Sequence, residues 1–134
     1  MHIYEHKIYF HDTDQAGVVH HSNYLKYFEA GRIEHLKNLG ILYSELQQSS
    51  IGFVPVDIQI QYKAPLRLDD RYRVETSLTT LKKATIIFKQ EVFKNKTCCC
   101  TAMVKLACLN ESDYKVIPMP KELYETLKTA LVKS

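Results

Sequence analysis

Apolar side chains alternate with polar residues or proline between Val54 and Tyr62. A period of two is typical of a strand that buries one face. The pattern therefore predicts a strand whose apolar face consists of Val54, Val56, Ile58, Ile60 and Tyr62. Pro65 and the stretch Leu68-Asp69-Asp70 interrupt the alternation and end the strand.

The same reasoning predicts four more strands, at residues 3–9, 71–81, 84–94 and 97–109. The last three are separated only by the short polar pairs Lys82-Lys83 and Asn95-Lys96. Successive strands joined by tight turns form an antiparallel sheet. In the last strand, one face is predicted to hold Cys98, Cys100, Ala102, Val104, Leu106 and Cys108, so that the thiols fill the core.

Helical spacing of apolar residues begins after Ser22 and includes Leu25, Phe28, Leu36 and Leu39. It predicts a helix from Ser22 to about Asn38, with Ser22 as its N-terminal cap and Gly40 as its stop. Two further helices are predicted, a short one at residues 43–48 and a closing one from Pro120 to about Val132. Because the long helix must bury its apolar stripe, we expect an α+β fold, with a curved antiparallel β-sheet wrapped around one long central helix.

Composition and charge narrow the class of protein. The chain has 134 residues, 46% of them hydrophobic and 25% charged, which favours a single globular domain over residues 1–134. No apolar run approaches the roughly 18 residues that span a bilayer, and the N-terminus lacks a signal peptide pattern, so we expect a cytoplasmic protein without a transmembrane segment. The net charge of +3 is spread along the chain rather than clustered, which argues against a nucleic-acid partner.

The cysteines are predicted to be reduced structural thiols. Three of the four are consecutive, Cys98 to Cys100, and the fourth is Cys108. Neighbouring side chains on a strand point to opposite faces, which suits neither a disulfide framework nor the usual spacing of zinc ligands. Reduced thiols fit a reducing compartment.

Residues 9–24 carry the candidate chemistry. Two carboxylates and three histidines lie there, directly before the predicted long helix. A helix N-terminus offers unpaired N–H groups and a partial positive charge, which can stabilise the oxyanion of an attacked thioester. A nearby carboxylate can be the nucleophile or the base that activates water. The segment therefore contains both parts of an acyl-transfer site.

The stretch from Asp12 to Tyr24, DTDQAGVVHHSNY, resembles the signature D-x-D-x-x-G-[IV]-V-x-[HY]-x-N-Y of the 4-hydroxybenzoyl-CoA thioesterase family. The resemblance is to its subgroup that includes the Tol–Pal-associated acyl-CoA thioesterase. It continues through Phe28-Glu29-Ala30-Gly31-Arg32, which is similar to the F-E-x-x-R pattern of the family helix. It implies the hotdog fold and a thioester hydrolase that converts an acyl-CoA to a free acid and coenzyme A.

The resemblance also implies residue roles. Asp14 matches the catalytic carboxylate, as nucleophile or general base, and His21 matches the residue at the helix start whose N–H polarises the thioester carbonyl and whose side chain is also implicated in catalysis. The implied substrate-binding residues are Gly17, Val18, Asn23 and Tyr24. Neither a metal nor a cofactor beyond the coenzyme A of the substrate is expected. Active sites between subunits imply a homo-oligomer, either a dimer or a dimer of dimers (a homotetramer).

The other residues of the segment are expected to have structural roles or none. Asp12 is predicted to be structural and to accept backbone N–H groups in the loop. His11 and His20 are expected to be exposed and inert, although His20 departs from relatives that carry an aromatic residue. Glu29 and Arg32 are three apart on the helix and can pair.

Alternatives remain open at the level of the sequence. Some basic side chains could either meet the coenzyme A phosphates or be solvated surface charge, namely Lys63, Arg67, Lys82 and Lys83. The substrate could be an acyl carrier protein thioester. A hydratase or dehydratase of acyl thioesters, or a non-catalytic module associated with envelope proteins, would also suit the fold.

Overall fold

A computed structural model describes residues 1–132. Its helices are α1 (Asn23–Asn38), α2 (Tyr43–Gln48) and α3 (Lys121–Ala130), and its strands are β1 (His2–Lys7), β2 (Ile51–Tyr62), β3 (Arg71–Leu81), β4 (Thr85–Lys94), β5 (Thr97–Asn110) and β6 (Lys115–Val116). The strands form one antiparallel sheet in the order β1-β3-β4-β5-β2, with β6 paired to the end of β5. The predicted α+β architecture is thus confirmed. None of the helices in residues 1–132 is long and apolar enough to cross a membrane.

The core lies between α1 and the inner face of the sheet. Phe28 and Leu36 of α1 are buried there, together with Phe88 of β4 and Val104 of β5. The helix approaches the sheet closely at Gly31, where an added Cβ would lie 2.8 Å from Val74 Cγ1. Leu25, expected on the same apolar stripe, is 42% exposed, whereas its neighbour Tyr24 is 4% exposed.

The side chains of β2 that face the core are not the ones predicted. The register shifts between Pro55 and Asp57, so Val56 has no partner in β5. This one-residue bulge reverses the alternation. Phe53 rather than Val54 therefore shares the core-facing side with Ile58, while Val56 is 54% exposed.

A second bulge, in β5, shows that the predicted position of Cys98 on the same face as Cys100 is wrong. Cys100 pairs with Val92 and Cys98 pairs with Phe93, which leaves Cys99 without a partner in β4. Cys98 is therefore displaced from the Cys100 face and its Sγ lies 3.9 Å from Glu91 Oε2. In the described chain all four cysteines are free, and burial raises the pKa of Cys100 to about 12, so this thiol is a core group.

Candidate active site

The segment before α1 forms a tight hairpin. The Asp14 N–H donates to the Val18 carbonyl at 2.9 Å, and the Gly17 N–H donates to the Asp14 carbonyl at 3.0 Å. Gly17 has φ +78°, in the left-handed region that glycine adopts without steric cost. The glycine is therefore required by the turn that presents Asp14.

The hairpin is fixed to the body of the protein. Val18 forms a bridge with Arg67, and the Val19 N–H donates to the Leu66 carbonyl at 2.8 Å. Val19 and Leu66 are both buried. Val18 thus holds the hairpin in place through its backbone, and Arg67 belongs to this contact.

The Asp14 carboxylate is exposed, and only one of its two oxygens accepts a hydrogen bond. Its Oδ1 accepts the Ala16 N–H at 2.8 Å. Within residues 1–132 its Oδ2 has no hydrogen-bond partner. One oxygen therefore fixes the side chain while the other faces solvent.

Asp12 is a structural residue, as expected. Its carboxylate accepts the Tyr9 N–H at 2.9 Å, and its carbonyl accepts both the His20 N–H at 3.1 Å and the Asn23 side-chain amide at 2.8 Å. Burial, with the nearby Asp12 carboxylate, raises the pKa of Tyr27 and keeps it neutral. Asn23 thus ties the first turn of α1 to the loop.

The start of α1 is not capped as predicted. Ser22 has helical angles, φ −71° and ψ −21°, and its side chain makes no bond to a helix N–H. Its Oγ lies instead 2.7 Å from His20 Nδ1. Among residues 1–132 the His21 N–H has no acceptor, so a donor at the positive end of α1 is open.

A shallow depression of about 310 Å³ lies beside this donor. It is lined by Val19, His21, Tyr24, Tyr62, Lys63, Ala64 and Pro65. Tyr62 donates its hydroxyl to the His21 carbonyl at 3.0 Å, and its ring meets the Tyr24 ring edge-on with centroids 5.5 Å apart. Burial above all raises the pKa of Tyr24 to about 12, so this hydroxyl stays protonated.

The depression brings together some predicted residues and not others. His21 and Tyr24 line it, and so does Lys63, whereas Asp14, Gly17 and Val18 belong to the adjoining hairpin. The residue that sequence reasoning missed is Tyr62. Its position at the end of the apolar alternation in β2 was the available signal.

Arg32 does not form the expected pair with Glu29. It is 8% exposed and donates from Nη1 to Gln90 Oε1 at 3.0 Å. Gln90 in turn donates to the Phe28 carbonyl at 2.8 Å and to Thr76 Oγ1 at 2.9 Å. Arg32 is therefore part of a buried network that joins α1 to the sheet.

Within residues 1–132 no three histidine, cysteine or carboxylate side chains come together as a metal site. His11 and His20, the two other histidines of the segment, make different contacts. His11 is exposed and stacks on Tyr9, with ring centroids 5.8 Å apart. His20 is exposed, but it makes bonds at the helix start, which the expectation of an inert side chain did not include.

The sequence profile of the thioesterase-like superfamily matches residues 8–127. The chain is 36% identical over 118 residues to the acyl-CoA thioesterase YbgC of Haemophilus influenzae, covering 87% of each protein. Among solved structures, a hypothetical protein from Aquifex aeolicus superposes with a TM-score of 0.90 at 35% identity, covering 95% of this chain and 99% of the other. The gentisyl-coenzyme A thioesterase BH1999 superposes with a TM-score of 0.86 at 30% identity, covering 95% and 99%.

Proposed function

Because the chain belongs to the thioesterase-like superfamily, we propose that it is an acyl-CoA thioesterase that releases a free acid and coenzyme A. The observation that carries the proposal is the open His21 N–H at the start of α1, on the same short segment as the exposed Asp14 carboxylate. The name of the 36% identical relative, an acyl-CoA thioesterase, supports the choice of substrate.

The chemistry follows from these two groups. The thioester carbonyl oxygen accepts from the His21 N–H, which stabilises the negative charge that develops on it. Asp14 then acts through its free Oδ2 in one of two ways. It attacks the carbonyl carbon and forms a mixed anhydride that water hydrolyses, or it removes a proton from an attacking water. In both routes the C–S bond breaks and the coenzyme A thiolate leaves and takes up a proton.

The remaining site residues position these groups. Gly17 permits the turn, Val18 holds the hairpin through its backbone, and Asn23 fixes the loop to α1. Tyr24 supplies a wall of the depression beside His21. The proposal includes a cytoplasmic location, which the free cysteines support, and no cofactor beyond the coenzyme A of the substrate.

We further propose a homo-oligomer built on β2, with the site at the subunit interface. Strand β2 is one of the two edge strands of the main sheet. Its core-facing side beyond the bulge includes Ile58 and Tyr62, which are 36% and 49% exposed in the single chain. An exposed edge with apolar side chains is a template for pairing with another copy. Tyr62 joins this edge to His21, which brings the interface to the site.

The Asp14→Asn variant tests the catalytic proposal. We expect thiol release from acyl-CoA thioesters to fall by about a hundredfold, or about 3 kcal/mol, because asparagine can accept the Ala16 N–H but is neither nucleophile nor base. Asp113→Asn is the matched control, since Asp113 also accepts an N–H two residues later in an exposed turn. A panel from acetyl-CoA to palmitoyl-CoA and benzoyl-CoA, with an acyl carrier protein thioester, identifies the acyl group and the carrier. A fully active Asp14→Asn variant would refute the mechanism.

The Ile58→Glu variant tests the oligomer. We expect a buried charge at the β2 edge to dissociate the assembly, measured by sedimentation equilibrium. Met103→Glu is the control, because Met103 is 38% exposed and pairs with Gln59 on the outer face of the sheet. Wild type that sediments as a single chain would contradict the proposed interface.

A further inference from the structure

His20 provides the acceptors that the start of α1 lacks. Its Nδ1 accepts the Ser22 N–H at 3.2 Å, and its carbonyl accepts the Asn23 N–H at 2.9 Å. Helices usually receive such bonds from a side-chain oxygen at the cap. Here the Ser22 side chain is turned back toward the imidazole, and its Oγ lies 2.7 Å from the same Nδ1.

The pattern of these bonds leaves the His21 N–H open. The N–H groups of Ser22 and Asn23 both end on His20, whereas the His21 N–H has no acceptor among residues 1–132. The donor proposed to hold the thioester oxygen is thus followed along the chain by two N–H groups that are already satisfied.

The His20 ring also contacts the His21 ring. Their centroids are 4.2 Å apart, with an angle of 31° between the planes. The Tyr62 ring meets His21 edge-on, at 6.3 Å and 89°. The Tyr62 hydroxyl holds the His21 carbonyl at 3.0 Å. Both the backbone and the side chain of His21 are therefore held by neighbours that carry no other proposed role in catalysis.

We propose that His20 is a positioning residue of the active site, which orients the His21 N–H and imidazole toward the thioester through the Nδ1 bond and the ring contact. The inference rests on the proposed thioesterase function. A phenylalanine ring at this position would keep the contact with His21 but would supply no Nδ1 acceptor for the helix.

Three substitutions separate the two contacts. His20→Asn keeps an acceptor and removes the ring, His20→Phe keeps the ring and removes the acceptor, and His20→Ala removes both. Because His20→Ala loses both a hydrogen bond and a ring contact, we expect its kcat to fall by roughly tenfold (about 1.4 kcal/mol), with KM within about twofold. Each conservative variant should recover part of kcat. His11→Ala is the matched control, an exposed histidine of the same loop that stacks on Tyr9 away from the helix start.

Amide hydrogen exchange and the NMR signals of His21 give a readout that does not depend on activity. We expect His20→Ala to shift the His21 amide and ring signals and to speed exchange of the Ser22 amide, while the urea midpoint of unfolding stays unchanged. The proposal is overturned if kcat is unchanged, if kcat falls only in step with stability, or if the His21 signals do not move. If the wild type releases no thiol from any thioester, the proposed function fails, and the NMR signals still decide whether His20 orients His21.

Discussion

The segment before α1 and the middle part of α1 differ in how their polar groups are satisfied. In the segment before α1, Asp14 and His21 are exposed, and the Asp14 Oδ2 and the His21 N–H have no hydrogen-bond partner among residues 1–132. In the middle of α1, Arg32 is buried and bonded to Gln90, and His35 is buried with neither ring nitrogen bonded in the described chain. The loop that enters α1 therefore presents open donors and acceptors to solvent, whereas the helix itself encloses polar groups against the sheet.

The difference has a physical consequence. An exposed polar group without a protein partner remains solvated by water, whereas a buried one must be bonded or neutral. Substitutions in the segment before α1 should thus alter activity with little change in stability. Substitutions in the buried part should alter stability first.

The largest expected effect concerns His35. Burial above all, with His2 and the N-terminal amine, lowers the pKa of His35 to about 4 from 6.5. The unfolded chain therefore takes up a proton that the folded chain does not, so stability is full above about pH 6.5 and is lost as the pH falls toward 4. We expect the free energy of unfolding to drop by about 2–3 kcal/mol between pH 7 and pH 4.5, measured by urea unfolding.

A His35→Leu variant should lose most of this acid sensitivity, since leucine fills a similar space without a titratable group. His11→Leu is the control at the exposed end, because His11 stacks only on Tyr9 and borders Asp12 at 3.8 Å. An unchanged pH slope in His35→Leu would show that the buried imidazole is not the acid-sensitive group, and the comparison would lose its main support.

The next effect is steric. In Gly31→Ala the new Cβ would lie 2.8 Å from Val74 Cγ1 and 3.0 Å from Thr76 Oγ1. Overpacking of this kind costs about 1–3 kcal/mol, partly offset by the better helix propensity of alanine. We expect a net loss of about 1–2 kcal/mol in unfolding free energy, with kcat of the folded protein unchanged.

The Gly31→Ala/Val74→Ala double variant checks the cause. If the contact with Val74 is responsible, the two changes should be less than additive, with a coupling of about 0.5 kcal/mol or more. Additive losses would locate the strain elsewhere.

Much of this arrangement was predictable from local pattern. The helix over residues 23–38 and the alternation in β5 follow directly from spacing, and the hairpin glycine at position 17 follows from the resemblance in the loop. The bulges at Val56 and Cys99 were not predictable, because one extra residue reverses a face without changing composition.

The candidate site was predictable only in part. Its loop residues are contiguous, and a motif of thirteen positions identifies them. The contact of Tyr62 with His21 joins residues 41 apart and depends on how β2 passes the helix start. The cap supplied by His20 depends on a side-chain rotation of Ser22 that serine itself does not specify. Tertiary packing determines which distant residues meet and which rotamers side chains adopt, and the local sequence pattern carries no information about that packing.

The smallest expected effect concerns His21, in the segment before α1. Tyr62→Phe removes the hydroxyl that donates to the His21 carbonyl but keeps the ring against Tyr24. Because this bond is exposed, water replaces it in the unliganded protein, and we expect unfolding free energy to change by less than about 0.5 kcal/mol. The His21 peptide becomes freer to rotate, so kcat should fall by about two- to tenfold, in line with one hydrogen bond of about 0.5–1.5 kcal/mol.

Tyr114→Phe is the matched control, an exposed tyrosine in the turn between β5 and β6 that should change neither quantity. Steady-state kinetics and urea unfolding on the same samples separate the two regions. A Tyr62→Phe variant that loses stability and keeps kcat would place Tyr62 with the buried part of α1, because its hydroxyl would then hold the fold together rather than orient the donor. A loss of kcat alone would show that the segment before α1 can be changed in activity while the helix maintains the fold.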